Sequence, residues 1–140
     1  MYHLFEFSKN WINTPFRFHG YSKNGCDCIG LIVGVLYENM VLNDVFLKKF
    51  NTIKYGNNLS KIKQNDMLEL ILNYFNEVKE IKEADLLLTK CKNSPIHFII
   101  YEKGKLKENA KIIHTTQEAG RVFISNFDEN IEIIKMFCLK

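Results

Sequence analysis

The sequence predicts an α+β fold in which N-terminal helices, one of them buried, pack on an antiparallel sheet of about five strands. In the first half of the chain apolar residues recur at helical spacing. In the second half they form short runs separated by turn residues. Helices followed by a meander of strands are typical of this fold class. The 140 residues, 46% of them hydrophobic, suffice for one packed core, so we expect a single domain over 1–140.

Four helices and five strands are predicted, in chain order. The helices cover 2–11, a buried segment that begins at Asp27 or Cys28 and ends at Tyr37 or Met40, then 43–50 and 66–78. In the third helix Val45 is expected on the buried side. The strands cover 85–90, 96–102, 111–116, 121–126 and 131–139.

The predicted buried helix begins at Asp27 or Cys28, at the end of the segment 25–28. It includes six consecutive residues, 31–36, without a polar side chain. Asp27 is the predicted N-cap, because its carboxylate accepts hydrogen bonds from the unpaired N–H groups of the first turn. Cys28 then lies where the helix dipole favours an anion, which is expected to lower the pKa of its thiol and make it a nucleophile. Gly30 and Gly34 predict a close approach of a neighbouring backbone.

Two histidines lie on neighbouring predicted strands. His97 begins one apolar run and His114 ends the next, at a separation that suits a two-stranded hairpin. A cysteine at a helix N-terminus, a histidine on a facing strand and a second polar residue can act as nucleophile, base and orienting group. The alternative is that Cys28 is a small apolar filler and that both histidines are structural strand residues.

Zinc is the main chemical alternative, because cysteine and histidine are its usual ligands. Cys26 and Cys28 are too closely spaced for the usual pair of ligands, and the sequence has no second close pair of cysteines. Cys91 and Cys138 are isolated on predicted strands and are interpreted as core thiols. We therefore expect no metal and no organic cofactor.

The composition favours a protein made in the cytoplasm that binds no nucleic acid and has no membrane span. The formal net charge of +3 is small and unclustered. The N-terminus lacks the features of a signal peptide, and the longest apolar run is far shorter than the roughly 20 residues of a spanning helix. Four cysteines in such a chain do not predict a disulfide framework.

Several segments resemble motifs of the NlpC/P60 cell-wall peptidases, and together they extend over nearly the whole chain. Thr-Pro-Phe-Arg-Phe at 14–18 and Gly-Cys-Asp-Cys-Ile-Gly-Leu at 25–31 resemble the cysteine motif, in a form similar to the phage cell-wall peptidase branch. Ala-Asp-Leu-Leu-Leu at 84–88 resembles the start of a family strand, with Ala84 where glycine is usual. Ile-His-Phe-Ile-Ile-Tyr at 96–101 resembles the histidine motif, and Ile-Ile-His-Thr at 112–115 the motif of the third catalytic residue.

The resemblance implies a papain-like fold and cleavage of peptidoglycan stem peptides, commonly at the γ-D-glutamyl bond to a diamino acid. By position, Cys28 is the nucleophile, His97 the general base and acid, and His114 the residue that orients His97. Asp27 matches an aspartate that helps to bind the amino end of the substrate. The implied partners are peptidoglycan peptides and phage tail proteins, and the implied location is a virion or phage-like particle that acts on the cell wall.

Two positions of the expected substrate site depart from the family pattern. Phe16 stands where many members have a tyrosine, and Ile29 stands where many have a serine. Arg17 and Tyr21 are candidates to replace the missing tyrosine hydroxyl. The alternatives are an inactive wall-binding or tail-assembly module on the same fold, or a related thiol amidase or acyltransferase.

Overall fold

The α+β class is confirmed by the computed structural model, which describes residues 3–53, 66–91 and 97–140. The helices are α1 Leu4–Ser8, α2 Cys28–Glu38, α3 Asp44–Thr52 and α4 Asp66–Leu72, and single 3₁₀ turns cover Lys9–Trp11, Ile81–Glu83 and Lys107–Asn109. The strands are β1 Tyr21–Ser22, β2 Gly25–Cys26, β3 Phe75–Val78, β4 Leu86–Cys91, β5 His97–Tyr101, β6 Lys111–Thr115, β7 Val122–Asn126 and β8 Ile131–Leu139.

The predicted buried helix is α2, and it lies at the centre of the core. Every residue from Ile29 to Leu36 is buried, as expected for a helix without a polar face. Asp27 is its N-cap, as predicted, with a side-chain oxygen that accepts a hydrogen bond from the Gly30 N–H. At the other end, the Asn39 side chain donates to the Val35 carbonyl at 2.8 Å.

The helix α3 follows the prediction closely except at one residue. The Asn43 side chain accepts a hydrogen bond from the Phe46 N–H at 3.0 Å, so the helix starts one residue after this cap. Phe46 and Phe50 are buried. Val45, expected on the same side, is 77% exposed, so that part of the prediction is wrong.

The predicted helix over 66–78 is wrong in its second half. The helix α4 ends at Leu72, and the strand β3 follows after a short turn. Phe75 and Val78 are three residues apart, a spacing that suits a helix face but also occurs in strands. Pairing with β8, which sets Phe75 opposite Leu139, provides the backbone hydrogen bonds that a longer helix would otherwise supply.

The main sheet has six strands in the order β3-β8-β4-β5-β6-β7, and all its neighbouring pairs are antiparallel. The predicted meander is present from β4 to β7. The last strand, β8, departs from it, because it returns to lie between β3 and β4. The expected five-stranded meander is therefore a six-stranded sheet with one long-range return.

The two faces of the sheet carry different clusters. Alternate residues point to opposite faces of a strand. Side chains on one face pack with α2 in the main core, among them Leu86, Phe98, Ile100, Ile113 and Val122. Side chains on the other face form a second cluster of Ala84, Leu87, Ile99, Tyr101, Ala110 and Ile112. Within the part of the chain that is described, no helix is long and apolar enough to cross a membrane.

Close packing at Gly34 gives a test of this core. A Cβ added to Gly34 would collide with the Trp11 ring and with the Tyr21 carbonyl oxygen. Alanine would gain about 1 kcal/mol of helix propensity over glycine. Overpacking typically costs about 1–3 kcal/mol, or more where the neighbour is backbone. We therefore expect Gly34→Ala to lower the free energy of unfolding by about 2 kcal/mol, measured by urea denaturation. A more stable variant would show that α2 does not lie this close to Trp11.

Candidate active site

The N-terminus of α2 is fixed by the carboxylate of Asp27, which is 7% exposed. One of its oxygens, Oδ1, accepts from the Gly30 N–H at 2.7 Å, and Oδ2 accepts from the His19 N–H at 2.8 Å. The backbone of Gly20 also lies against Gly30, at a distance that excludes any side chain there. Asp27 therefore joins the loop before β1 to the first turn of α2, and its predicted contact with substrate remains a prediction.

The segment around Phe16 lies beside this helix start, as predicted. The Cys26 N–H donates to the Pro15 carbonyl at 3.0 Å, and the Arg17 N–H donates to the Cys26 carbonyl at 3.1 Å. The ring of Phe16 is partly buried and meets the ring of Phe18 edge-on, with 4.9 Å between centroids. Phe16 and the exposed Arg17 thus lie next to the cysteine segment, and their contacts with substrate remain predictions.

Cys28 is the first residue of α2 and is partly buried. Its sulfur receives hydrogen bonds from the backbone of Phe98, of Ile29 and of Cys28 itself. The strands β5 and β6 pair only at Ile100–Ile113 and Tyr101–Ile112, so the backbone of Phe98 is not paired with β6. The thiol therefore contacts β5 one residue away from His97. Sequence reasoning missed Phe98, because a backbone donor leaves no signal in the residue type.

The two predicted histidines lie side by side. Nε2 of His97 is 3.4 Å from Nδ1 of His114, and their rings are stacked with centroids 5.6 Å apart. The ring of His114 also lies 4.3 Å from the ring of Phe123 on β7. Both histidines alternate along their strands with helix-facing residues, so they belong to the face opposite the main core. The Cys28 thiol lies at the backbone of Phe98, one residue from His97, where β5 and β6 are unpaired.

The expected lowering of the Cys28 pKa is not observed. Burial, and secondly the negative charge of Asp27, raise the pKa of the Cys28 thiol to about 12, although its backbone hydrogen bonds lower it in part. The same carboxylate that caps the helix thus opposes the thiolate that the helix dipole would favour. At neutral pH the group is a thiol, so attack by this sulfur would require a base to remove its proton.

A change at Asp27 tests this account of the thiol. Asn at position 27 keeps an oxygen for the Gly30 N–H but carries no charge. We expect Asp27→Asn to lower the Cys28 pKa and to speed alkylation by iodoacetamide at pH 7, measured by mass spectrometry of the Cys28 peptide. Asp128→Asn removes the same charge from an exposed turn and is the matched control. An unchanged rate in Asp27→Asn would show that Asp27 does not control the thiol.

Two neighbours of Cys28 lie in the core, and one of them, Ile29, was expected in the substrate site. Ile29 is fully buried in the core, so its side chain has no exposed surface for a substrate, and only its backbone N–H points to the site. Cys26 is also fully buried, and burial, followed by the charges of Asp27 and Cys28, raises the pKa of its thiol to about 12. Of these two adjacent cysteines, Cys28 alone has part of its surface exposed.

His114 makes stability depend on pH. Burial, and secondly His97, lower the pKa of His114 to about 4, from about 6.5 in the unfolded chain. Its contribution is complete above pH 6.5 and is lost as the pH falls from 6.5 towards 4, since the unfolded chain binds the proton first. Between pH 7 and 5 the linked loss is about 2 kcal/mol. We expect His114→Asn to lose correspondingly less stability on acidification, measured by urea denaturation at both values. Equal losses in both proteins would contradict the neutral, buried His114.

Among the described residues, no three or more His, Cys, Asp and Glu side chains form a group that could hold a metal ion. Cys138, interpreted from sequence as a core thiol, is partly exposed and contacts a lysine, and the side chain of Cys91 lies outside the described residues. Cys28, His97 and His114 remain the predicted catalytic group. No protein-family model matches this chain, and no curated protein is detectably similar to it in sequence.

Proposed function

We propose that this chain is a cysteine hydrolase of papain-like fold that cleaves amide bonds in peptidoglycan stem peptides. The observation that carries the proposal is the position of the Cys28 thiol, at the start of a buried helix and in contact with the backbone next to His97. His97 in turn lies against His114. A nucleophile, a base and an orienting group on rigid elements are the parts that thiol hydrolysis requires.

In the proposed reaction His97 removes the proton of Cys28 as the sulfur attacks the amide carbonyl. The thiol pKa of about 12 favours this coupled transfer over a stable thiolate in the resting protein. His114, neutral because burial holds its pKa at about 4, orients His97 without competing for the proton. If Nε2 of His97 donates to Nδ1 of His114, then Nδ1 of His97 is the nitrogen that accepts the thiol proton.

The developing oxyanion is held by backbone N–H groups at the start of α2. The N–H groups of Cys28 and Ile29 already point at the sulfur. The oxygen of an attacked carbonyl would lie beside this sulfur, within reach of the same donors. The next two amides are occupied, since Gly30 donates to the Asp27 side chain and Leu31 to the Asp27 carbonyl. His97 then protonates the leaving amine, and water releases the acyl group. No step in this scheme requires a metal or an organic cofactor.

The substrate assignment rests on the resemblance of the cysteine and histidine motifs to the NlpC/P60 peptidases. From the same resemblance we infer that the bond cleaved joins a γ-D-glutamyl residue to a diamino acid, and that the chain acts in a phage tail or phage-like particle. Phe16, Arg17 and Asp27 would line the side of the site before Cys28, because all three belong to segments fixed against the start of α2.

The second candidate is a wall-binding module without turnover. One observation favours it, namely that burial and the charge of Asp27 raise the pKa of Cys28 instead of lowering it. Such a protein would retain the fold and the binding surface and would lack an efficient nucleophile. Binding to wall material without any product would identify this function.

Product analysis distinguishes the two candidates. Muropeptides from two walls, one with diaminopimelate and one with lysine, are incubated with the wild type or with Cys28→Ala and separated by mass spectrometry. We expect the wild type to release peptides that begin at the diamino acid, and Cys28→Ala to bind insoluble wall without releasing them. Binding by both proteins with no product from either would reject the hydrolase. Equal products from both would reject Cys28 as the nucleophile.

A further inference from the structure

A second cluster of reactive side chains lies where the end of β8 meets the start of β4. The Lys103 ammonium nitrogen, Nζ, is 3.1 Å from Oδ2 of Asp85 and 3.2 Å from the sulfur of Cys138. Asp85 Oδ2 also accepts the Leu139 N–H at 2.8 Å. A lysine therefore bridges a carboxylate and a thiol that are far apart in sequence. None of these residues belongs to the proposed hydrolase mechanism.

The burial of the cluster is graded from carboxylate to solvent. Asp85 is 1% exposed, and its other oxygen, Oδ1, is buried without a hydrogen-bond partner among the described residues. The side chain of Lys103 is 30% exposed, and Cys138 is partly exposed. The Cys138 sulfur also lies 3.5 Å from the Leu139 carbonyl, to which the thiol donates. A small oxidant can thus reach the amine and the thiol, whereas the Asp85 carboxylate is shielded from solvent.

We propose that Lys103 and Cys138 form an oxidative cross-link in which one oxygen atom joins the lysine nitrogen to the cysteine sulfur. The separation of 3.2 Å between the two atoms leaves room for an intervening oxygen after a small movement of the flexible lysine. A direct nitrogen–sulfur bond would require the two strand ends to approach much further. The oxidant is a peroxide, which attacks exposed thiols first.

The reaction balances with two molecules of hydrogen peroxide and three of water. One peroxide oxidises the Cys138 thiol to a sulfenic acid and leaves one water. A second oxidises the neutral Lys103 amine to a hydroxylamine and leaves another water. The hydroxylamine oxygen then attacks the sulfenic sulfur, whose hydroxyl leaves as the third water. The product retains one hydrogen on the lysine nitrogen.

Asp85 holds the Lys103 amine next to the Cys138 sulfur. Burial lowers the pKa of the Lys103 ammonium, but its hydrogen bonds to Cys138 and Asp85 outweigh burial and keep the pKa above its usual value. The amine must therefore lose a proton to solvent before it is oxidised, which the 30% exposure of the Lys103 side chain allows. Oδ1 of Asp85, buried and without a partner in the described structure, is in the same carboxylate that already contacts Lys103.

The cross-link would join the last strand to the loop that follows β5. Cys138 is next to the last residue of β8, and Lys103 lies two residues beyond Tyr101, the end of β5. A covalent connection between these sites restricts the unfolded chain, as a disulfide does, and raises the melting temperature. Thiol reductants would reverse the effect. The inference is independent of hydrolysis at Cys28.

The experiment treats the purified full-length protein with hydrogen peroxide and analyses proteolytic peptides by mass spectrometry. We expect a linked pair of peptides containing Lys103 and Cys138. Its mass should exceed the summed masses of the two separate peptides by one oxygen atom minus two hydrogen atoms. Dithiothreitol should separate them and reverse a rise in melting temperature of several degrees. Cys138→Ser and Lys103→Arg should lack the product, whereas Lys105→Arg, a matched change in the same loop, should retain it.

Three outcomes would overturn the proposal. The first is oxidation of Cys138 to sulfinic acid with Lys103 unmodified. The second is a linked pair that has lost two hydrogens without gaining oxygen. The third is a linked pair that persists in Lys103→Arg. The wild-type spectrum alone decides between the first two and the expected product, so a variant that fails to fold does not weaken the test.

Discussion

Replacing Cys28 with alanine is expected to lower kcat on muropeptides by at least about a thousand-fold, because no other group can take the place of an attacking nucleophile. This corresponds to about 4 kcal/mol or more of transition-state stabilisation. The backbone donors of Cys28 and Ile29 stay in place in this variant, and the loss therefore isolates the sulfur. Turnover is measured by the release of new amino groups from a defined stem peptide.

The control for this prediction is the other partly exposed thiol in the described structure. Cys138→Ala removes a sulfur that lies on β8 and contacts Lys103, and it should leave kcat within about twofold of the wild type. Circular dichroism and melting temperature verify that Cys28→Ala is folded, since the cap at Asp27 is untouched. Turnover within tenfold of the wild type in folded Cys28→Ala would rule out cysteine chemistry at this site.

The start of α2 could be predicted from sequence because every signal for it is local. Asp27 has the residue type of an N-cap, and the segment that follows contains only apolar residues and glycines. The two glycines indicated close backbone approach, and the structure places Gly20 against Gly30 and the Tyr21 carbonyl against Gly34. Local chemistry and local spacing sufficed to locate the start of α2 and to place Cys28 there.

The arrangement of β3 and β8 could not be predicted in the same way. Phe75 and Val78 fit either a helical or an extended pattern, and the choice depends on Leu139 and its neighbours, more than sixty positions later. Nothing near residue 75 indicates that β8 returns across the sheet. Pairing over such a separation depends on which strand of the sheet still has an unpaired edge. The local spacing of apolar residues carries no information about that edge.

The protonation state of the Cys28 thiol could not be predicted from the sequence either. The helix dipole argument is local and favours a thiolate, whereas burial depends on how α2 packs on β5. The charge of Asp27 was visible, but its effect depends on how close the carboxylate lies to the sulfur. The same holds for Ile29. Its side chain is buried in the core, so only its backbone is available to the site, and this burial depends on tertiary packing.

Removing His97 is expected to have the second-largest effect on turnover, and removing His114 a much smaller one. A general base typically contributes about 10²–10⁴-fold, and a thiol with a pKa of about 12 depends fully on that base at neutral pH. We therefore expect His97→Ala to lower kcat by about a thousand-fold. In the proposed mechanism His114 is neutral and contributes only orientation through its 3.4 Å contact with His97, a role that an amide fulfils in papain-like proteases. His114→Asn should accordingly keep kcat within about tenfold of the wild type, and His114→Ala should lose more.

The three variants are compared at pH 7 on one stem peptide, with melting temperatures as the folding control. If His114→Ala matches the wild type, His114 is a structural strand residue. If His97→Ala retains a tenth of the wild-type rate or more, the base is another group and the proposed proton transfer from Cys28 is wrong.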